Sequence, residues 1–360
     1  MIDKDQRPTT KNHRPIAWEN VRHVLVIRLR SIGDTVLATP SLIALKRFLP
    51  HSRMDILLED WVAPLLDEFD AVDDVITVGR SRKERLKTAL RLRQNRYDVV
   101  FNLHGGTTST FFAWATRAPH RVGFANYRYA FLYDHLLPSA SDFWGRSPTH
   151  SAEQQLALLG FVGVPVEDLP KSRLTIANHG LKSLNERLAK SAIRDPRSAF
   201  ALIHPAAAFA TKTWAAENFA RTAEFLSRKN IQTVAIAAWN ETSLLERLVA
   251  ESSVPIITFS DLSLPEIIAL ASKARLFVGN DSGIAHIAAA VGTPSVVIFG
   301  SSNRDHWRPW TYAPNEIVYE PFPCQPCPGY ECKEFGDPRC ILELSPDRVF
   351  PAIDKVLKKN

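Results

Sequence analysis

The sequence predicts an α/β protein of two domains, each a parallel sheet with helices wound on both faces. Three observations lead there. Short β-branched apolar runs alternate with longer amphipathic segments, and they do so twice along the chain. At 360 residues the chain is too long for one ordinary core. The alternation is interrupted near 170–195 by Pro170, Asp195 and Pro196, where a domain junction is expected.

Taken in order, residues 1–20 are polar and unpatterned and read as a flexible tail. The run 21–27 has the length and composition of a buried parallel strand. A loop, 28–34, follows, and Thr39-Pro40 reads as an N-cap with proline at the first helical position. Leu42, Leu45, Phe48 and Leu49 share one face of the helix it opens. Strands are then predicted at 54–58, 75–78 and 97–103, with helices at 61–69 and 82–94. Residues 120–180 are rich in aromatics, Arg and His and have poor periodicity. The second half is clearer. Strands are predicted at 200–204, 233–238, 256–260, 276–279 and 295–299, with helices at 217–228, 241–251, 263–273 and 281–290. Ser263 and Glu266 have the spacing of a capping box. The expected division is 1–20, 21–180, 181–345 and a tail helix, 346–360, able to pack back on the first domain.

Composition narrows the function. Hydrophobic residues are 45% and charged residues 23%, the balance of a soluble globular protein. The formal charge of +6 suits acidic partners such as phosphorylated sugars or an anionic membrane surface, and argues little for nucleic acid. No run of about 18 uncharged apolar residues occurs, so a membrane span is not expected. The apolar run 24–27 is too short for a signal-peptide core and meets Arg28 and Arg30 at once, so the expected location is the cytoplasm.

Two tandem sheets of this kind bind ligands at the carboxyl ends of their strands. Asp34 follows the first strand beside Gly33, where a carboxylate can take a proton from an attacking hydroxyl; a plain turn or cap aspartate is the bland alternative. After the strand ending at His204, Thr211 and Lys212 offer a donor and a point charge for phosphate, although most lysines are merely solvated. The segment 279–286 joins a strand to a helix, and free N–H groups at a helix start make a pyrophosphate site. Ser282 and Gly283 suit close approach, whereas Asp281 would repel phosphate and fits a cap or a sugar hydroxyl. His286 either touches phosphate or is packed and hydrogen-bonded. Glu241 follows a strand and can accept from ribose hydroxyls or sit as a first-turn glutamate. The fingerprint G-x-G-x-x-G is absent, which argues against a nicotinamide enzyme.

Two further features stand apart. Cys324, Cys327, Cys332 and Cys340 fall within seventeen residues and can hold zinc or an iron–sulfur cluster, or be free thiols in a loop. The segment 80–96 carries Arg80, Arg82, Lys83, Arg85, Lys87, Arg91, Arg93 and Arg96 against Glu84 alone. It either faces lipid phosphates or is a solvated helix face.

Together these stretches resemble one family, the ADP-heptose:lipopolysaccharide heptosyltransferases of glycosyltransferase family 9. The resemblance runs over roughly 21–355. It is carried by 24–34 continuing to 39–42, by Asn102-Leu103-His104-Gly105 and 121–124, by His204-Pro205 through Thr211-Lys212-Thr213-Trp214, and by Gly279-Asn280-Asp281-Ser282-Gly283-Ile284-Ala285-His286. It implies a GT-B fold, two Rossmann-like doubly wound domains facing a cleft, the first binding acceptor and the second nucleotide sugar. It implies inverting transfer of heptose without a metal cofactor. Asp34 would be the general base, and Lys212 and Thr211 would hold the pyrophosphate. Asp281, Ser282, Gly283 and His286 would bind the donor and Glu241 its ribose, while Arg28, Arg30, Ser31, Gly33 and His104 would lie on the acceptor side. The implied partners are ADP-heptose, the lipid A–core oligosaccharide and the inner face of the cytoplasmic membrane, where the enzyme would be peripheral; no nucleic acid is implied. The sole Asp-x-Asp spacing, Asp3-Lys4-Asp5, falls in the tail, so no metal-binding pair is expected. Alanines at 206–208 and 237–238 replace glycines usual in the family, and alanine resists φ > 0. A transferase for another nucleotide sugar, a non-catalytic protein of the same fold and a cysteine-based metal sensor are the competing readings.

Overall fold

The computed structural model describes residues 15–190, 200–327 and 330–359. Most of the expected tail, the Asp3-Lys4-Asp5 spacing and Asp195-Pro196 of the expected junction lie outside the described residues. Among those described, no helix is long and apolar enough to cross a membrane.

Two six-stranded sheets are present, and every pairing is parallel. The first comprises β1 (His23–Ile27), β2 (Arg53–Glu59), β3 (Asp74–Val78), β4 (Val99–Asn102), β5 (His120–Phe124) and β6 (His135–Leu137), in the order β3-β2-β1-β4-β5-β6. The second comprises β7 (Phe200–His204), β8 (Gln232–Ile236), β9 (Ile256–Phe259), β10 (Leu276–Asn280), β11 (Ser295–Phe299) and β12 (Asn315–Tyr319), in the order β12-β11-β10-β7-β8-β9. Counted from its own first strand, each sheet has the doubly wound order 3-2-1-4-5-6. The order reverses between β1 and β4, and again between β7 and β10. The central strands β4, β7, β10 and β11 are buried throughout, which is why they read as unbroken apolar runs.

The chain divides into two compact units at Pro170. The second unit, from Lys171 onward, also takes in Ser31–Thr39 and Pro64–Phe69. The sequence reading had placed both segments in the first domain and the boundary at 180.

Local chemistry explains the agreements. The helix Arg82–Gln94 forms as predicted, opened by Ser81, whose Oγ accepts from Glu84 N at 3.2 Å. Glu266 Oε2 accepts from both Ser263 N and Ser263 Oγ at 2.7 Å, completing the predicted capping box. The departures also have causes. The helix expected at 61–69 shrinks to one 3₁₀ turn, Ala63–Leu66, with Pro64 inside it. Thr39 does not cap its helix. A short helix, Ile32–Val36, precedes it, and Thr39 Oγ1 donates to Val36 O at 2.7 Å and accepts from Arg173 N at 3.1 Å. The stretch read as irregular holds β5, β6 and the helix Ser151–Phe161, which is buried on nearly all sides and so lacks an amphipathic period. The edge strand β12 is half-exposed and polar.

The C-terminal helix Pro346–Lys358, read from sequence as able to pack back on the first domain, contributes to the second core. Its stripe of Val349, Ile353 and Val356 is buried with Phe219, Ala223, Ile298 and Val318. That core has its own uncovered face beside β11 and β12, and the stripe closes it. Ile353→Ala should therefore lower stability by about 2–5 kcal/mol in urea unfolding, the usual cost of a large cavity. A change below about 1 kcal/mol would make the helix peripheral, as for ordinary surface substitutions.

Candidate active site

The second unit's site begins at its switch point. Asn280, at the end of β10, is fully buried. Its Nδ2 donates to Pro205 O at 2.7 Å, and its Oδ1 accepts from Trp214 N at 3.2 Å. One side chain thus fixes both ends of the loop after β7. Trp214, also fully buried, donates Nε1–H to Leu344 O at 2.7 Å. Between these anchors a 3₁₀ turn, Ala210–Lys212, presents Lys212. Lys212 Nζ donates to Asp281 Oδ2 at 2.8 Å, and Ser302 Oγ donates to the same oxygen at 2.6 Å. Buried Thr211 accepts at Oγ1 from Ser301 Oγ at 2.9 Å. None of the alanines at 206–208 or 237–238 adopts positive φ, so replacing glycine there strains nothing.

The helix Gly283–Ala290 starts at Ser282, yet the Ser282 hydroxyl does not cap it. It lies 3.1 Å from His204 Nδ1 instead. The first-turn N–H groups thus lack a side-chain cap and keep their positive potential for an anion. Asp281 neither caps nor stands free; it holds Lys212. His286 is buried one turn in. Burial pushes its pKa down, Asp281 and Asp34 pull it up, and Lys212 pushes it down; the net shift is downward. The ring is therefore neutral at pH 7, a hydrogen-bonding group rather than a cation, and its Nδ1 has no partner. Burial likewise pushes His204 down to about 4.

Asp34 reaches this cluster through two glycines. A Cβ on Gly33 would lie 2.8 Å from His286 Cδ2 and 3.5 Å from Gly283 Cα. A Cβ on Gly283 would lie 2.7 Å from Ile32 Cβ and 3.2 Å from Gly33 N. Only hydrogen at both positions lets the two backbones meet. Asp34 itself accepts from Ser31 Oγ at 3.0 Å and Ser31 N at 3.4 Å; it is not the N-cap weighed from sequence but the third helical residue of a capping box opened by Ser31, which fixes its carboxylate. Asp34, Lys212, Asp281, Ser282, Gly283 and His286 are thereby brought together, with Thr211 behind Lys212. The cluster has a carboxylate, a cation, a neutral imidazole and an open helix end. It can accept a proton at one point and stabilise an anion at another.

The other predicted residues lie elsewhere. Glu241 Oε2 accepts from Ala238 N at 3.0 Å, closing its own turn after β8, beside the β7 loop. Arg28 and His104 are at the switch point of the first unit. Arg28 Nη1 donates to Leu103 O. Buried Asn102 accepts from His104 N at 3.0 Å and Gly105 N at 3.2 Å. Arg30 is exposed. Sequence reasoning assigned no role to Asn102, Asn280, Ser301 or Ser302. The available signal was an asparagine ending the fourth strand of each sheet, and a Gly300-Ser301-Ser302 turn after a predicted strand.

Cys324, Cys327, Cys332 and Cys340 line one small cavity with Thr211 and Ser301. Cys327 N donates to Ser301 O at 3.0 Å, which ties this loop to the site. Burial, then the neighbouring thiols, raises the pKa of Cys340. Among the described residues, no group of three or more His, Cys, Asp or Glu is placed to hold a metal ion. The expected zinc or iron–sulfur ligand set is therefore not found. Cys340 is held by the short helix Arg339–Leu342, and the loop carrying Cys324 and Cys327 is tied to Gly300 O by Gln325 Nε2 and to Ser301 O by Cys327 N.

Two six-stranded, doubly wound parallel sheets are the architecture of the GT-B glycosyltransferases. The profile of "Glycosyltransferase family 9 (heptosyltransferase)" matches residues 85–336, and the chain belongs to that family and is a transferase. Lipopolysaccharide heptosyltransferase 3 of Escherichia coli K12 is 27% identical over 302 residues, covering 79% of this chain and 84% of that protein. Lipopolysaccharide heptosyltransferase 2 of Salmonella typhimurium LT2 is 25% identical, covering 94% and 99%. The solved structure of E. coli ADP-heptose LPS heptosyltransferase II shares the fold, with a TM-score of 0.77 at 20% identity over 94% of this chain and 99% of that one.

Gly33→Ala should press on His286 and shift Asp34, lowering the transfer rate by roughly 10²-fold, as displacements near 1 Å do. An unchanged rate in a variant of wild-type stability would remove the glycine contact from the site. His204 titrates near 6.5 when unfolded and about 4 when folded, so the unfolded chain holds the extra proton between those values. Stability should thus be level above pH 6.5 and fall as pH drops towards 4, by up to about 3 kcal/mol. Urea midpoints across that range test this, with His204→Gln expected to show a shallower decline. An identical decline in the variant would assign the effect to another group.

Proposed function

We propose that the enzyme transfers heptose from ADP-heptose to a sugar of the lipopolysaccharide core, inverting the anomeric centre and needing no divalent ion. The observation that carries this reading is the convergence of Asp34 with Lys212 and the open end of the helix Gly283–Ala290. A proton acceptor and an anion site lie in one cluster, as a single displacement requires.

On this reading the acceptor oxygen attacks the anomeric carbon while its proton passes to Asp34. The bond from that carbon to the diphosphate breaks, and its electron pair leaves with ADP. Lys212 and the N–H groups of Gly283, Ile284 and Ala285 meet the charge that develops. Thr211 and Ser282 supply hydroxyl donors, neutral His286 a hydrogen bond, and Glu241 an acceptor for the ribose hydroxyls. Asp281 positions Lys212, and its carboxylate is an acceptor for a heptose hydroxyl. Arg28, Arg30, Ser31, Gly33 and His104 belong to the acceptor side, where exposed Arg30 suits an anionic group. The acceptor is lipid-linked, which puts the enzyme at the inner face of the cytoplasmic membrane as a peripheral protein.

Calorimetric titration with ADP, GDP, UDP and NAD, without added metal, is expected to show preference for ADP. Preference for UDP or GDP would move the function to another donor, and no binding to any would favour a non-catalytic protein. Asp34→Asn keeps the oxygen that Ser31 donates to, so ADP binding should stay nearly unchanged while turnover falls by roughly 10²–10⁴-fold. Lys212→Ala should weaken both. Full turnover in Asp34→Asn would exclude Asp34 as the base.

A further inference from the structure

The helix Arg82–Gln94 presents an unusual outer face. Its inner face, with Thr88, Ala89 and Leu92 buried, packs on the first sheet. At 100° per residue, Leu86 and Leu90 fall at the centre of the opposite face. Arg82 and Arg93 lie on one side of them, Lys83 and Lys87 on the other. The two leucines are 60% and 54% exposed. Those four bases are exposed and, among the described residues, none is in an ion pair with a carboxylate. The helix's one acid, Glu84, is taken up by Ser81, whose Oγ donates to it at 2.6 Å.

The helix Thr107–Ala115 lies beside it and extends the face. Its Phe112 and Ala113 share the core with Ala89 and Leu92, so both inner faces point the same way. Phe111 and Trp114 lie on its outer face, 38% and 49% exposed, with ring centroids 6.4 Å apart. Arg117, just past its end, is exposed as well. Four large apolar side chains ringed by unpaired bases are costly to leave in water. They match an anionic bilayer, where leucines enter the acyl boundary, tryptophan sits at headgroup level and bases meet lipid phosphates.

We infer that Leu86, Leu90, Phe111 and Trp114, with Arg82, Lys83, Lys87 and Arg93, form a docking face for an anionic phospholipid membrane. The inference deepens the lipid-linked acceptor reading and rests on it for its purpose, though not for its test. The helix Thr107–Ala115 begins directly after the His104 loop, so Trp114 is only about 10 Å along its axis from the acceptor side. Docking here holds that loop at the lipid surface.

The test is co-sedimentation of the full chain with vesicles. Phosphatidylethanolamine–phosphatidylglycerol vesicles should bind the protein, less so in high salt, and phosphatidylcholine vesicles should not. Lys83→Glu with Lys87→Glu should weaken partitioning at least roughly 25-fold, about 5-fold for each base lost. Leu86→Ser with Trp114→Ser should weaken it by at least roughly tenfold. Calorimetry with ADP monitors the folding of both variants, and wild-type ADP affinity is expected. Wild-type protein that ignores the anionic vesicles, or variants that bind them as wild type does, would overturn the proposal. So would a wild-type dimer in sedimentation velocity that the Leu86/Trp114 variant abolishes, since the face would then belong to a second copy. Vesicle binding without ADP binding would uphold the docking face while sinking the donor reading.

Discussion

The candidate site depends on one buried amide. A loop that leaves β7 and one that leaves β10 diverge at the point where strand order reverses, and nothing in the sheet ladder joins them. Asn280 does so, accepting from Trp214 N and donating to Pro205 O. Buried amides persist only when paired, and both ends of this one are paired to backbone. The turn bearing Thr211 and Lys212 is therefore fixed relative to Asp281, the next residue along the β10 loop. The first unit has an asparagine at the equivalent position, but Asn102 holds its own loop, accepting from His104 N and Gly105 N.

The second constraint is steric. Asp34 reaches the cluster only because Gly33 and Gly283 together leave room for two backbones to touch. In the sequence these glycines serve local ends, a turn after a strand and a helix start. In the fold they serve each other. That is also why Ser31–Thr39 groups with the second unit although it follows the first strand of the first sheet.

The difference between what was legible and what was not follows from the range of the interactions. Most of the strand and helix alternation, the Ser263 capping box and the β10–helix turn are encoded within a few residues, and they formed where the sequence put them. Stripes are legible too, but not their partners. Val349, Ile353 and Val356 plainly form an apolar face, yet only the packing shows that it closes the second core. The helix Ser151–Phe161 was missed because burial on all sides erases its period. Site residues divided in the same way. Asp34 and Gly283 follow strands closely and Lys212 lies in the loop after β7, so position made them candidates, and the family resemblance gave them roles. Ser301 and Ser302 act on Thr211 and Asp281 from ninety and twenty-one residues away, a distance that spacing cannot bridge. Four closely spaced cysteines suggested a metal; they do come to line one cavity, but ligation needs a tighter geometry around a single point, which spacing alone does not impose.

The charges of the cluster bear on how it would meet a diphosphate. Lys212 is already shared with Asp281, and His286 is neutral, so neither is a free cation. The uncommitted positive potential is that of the helix end, and it remains uncommitted only while Ser282 does not cap it. The Ser282 hydroxyl is instead engaged by His204. Burial keeps that imidazole neutral, and Nδ1 either accepts from the hydroxyl or donates to it according to the tautomer; in both cases the hydroxyl stays beside His204. His204 touches none of the charged residues of the cluster. On the proposed reading, the contact of Ser282 with His204, in place of a cap, leaves the helix N–H groups to meet the donor's diphosphate.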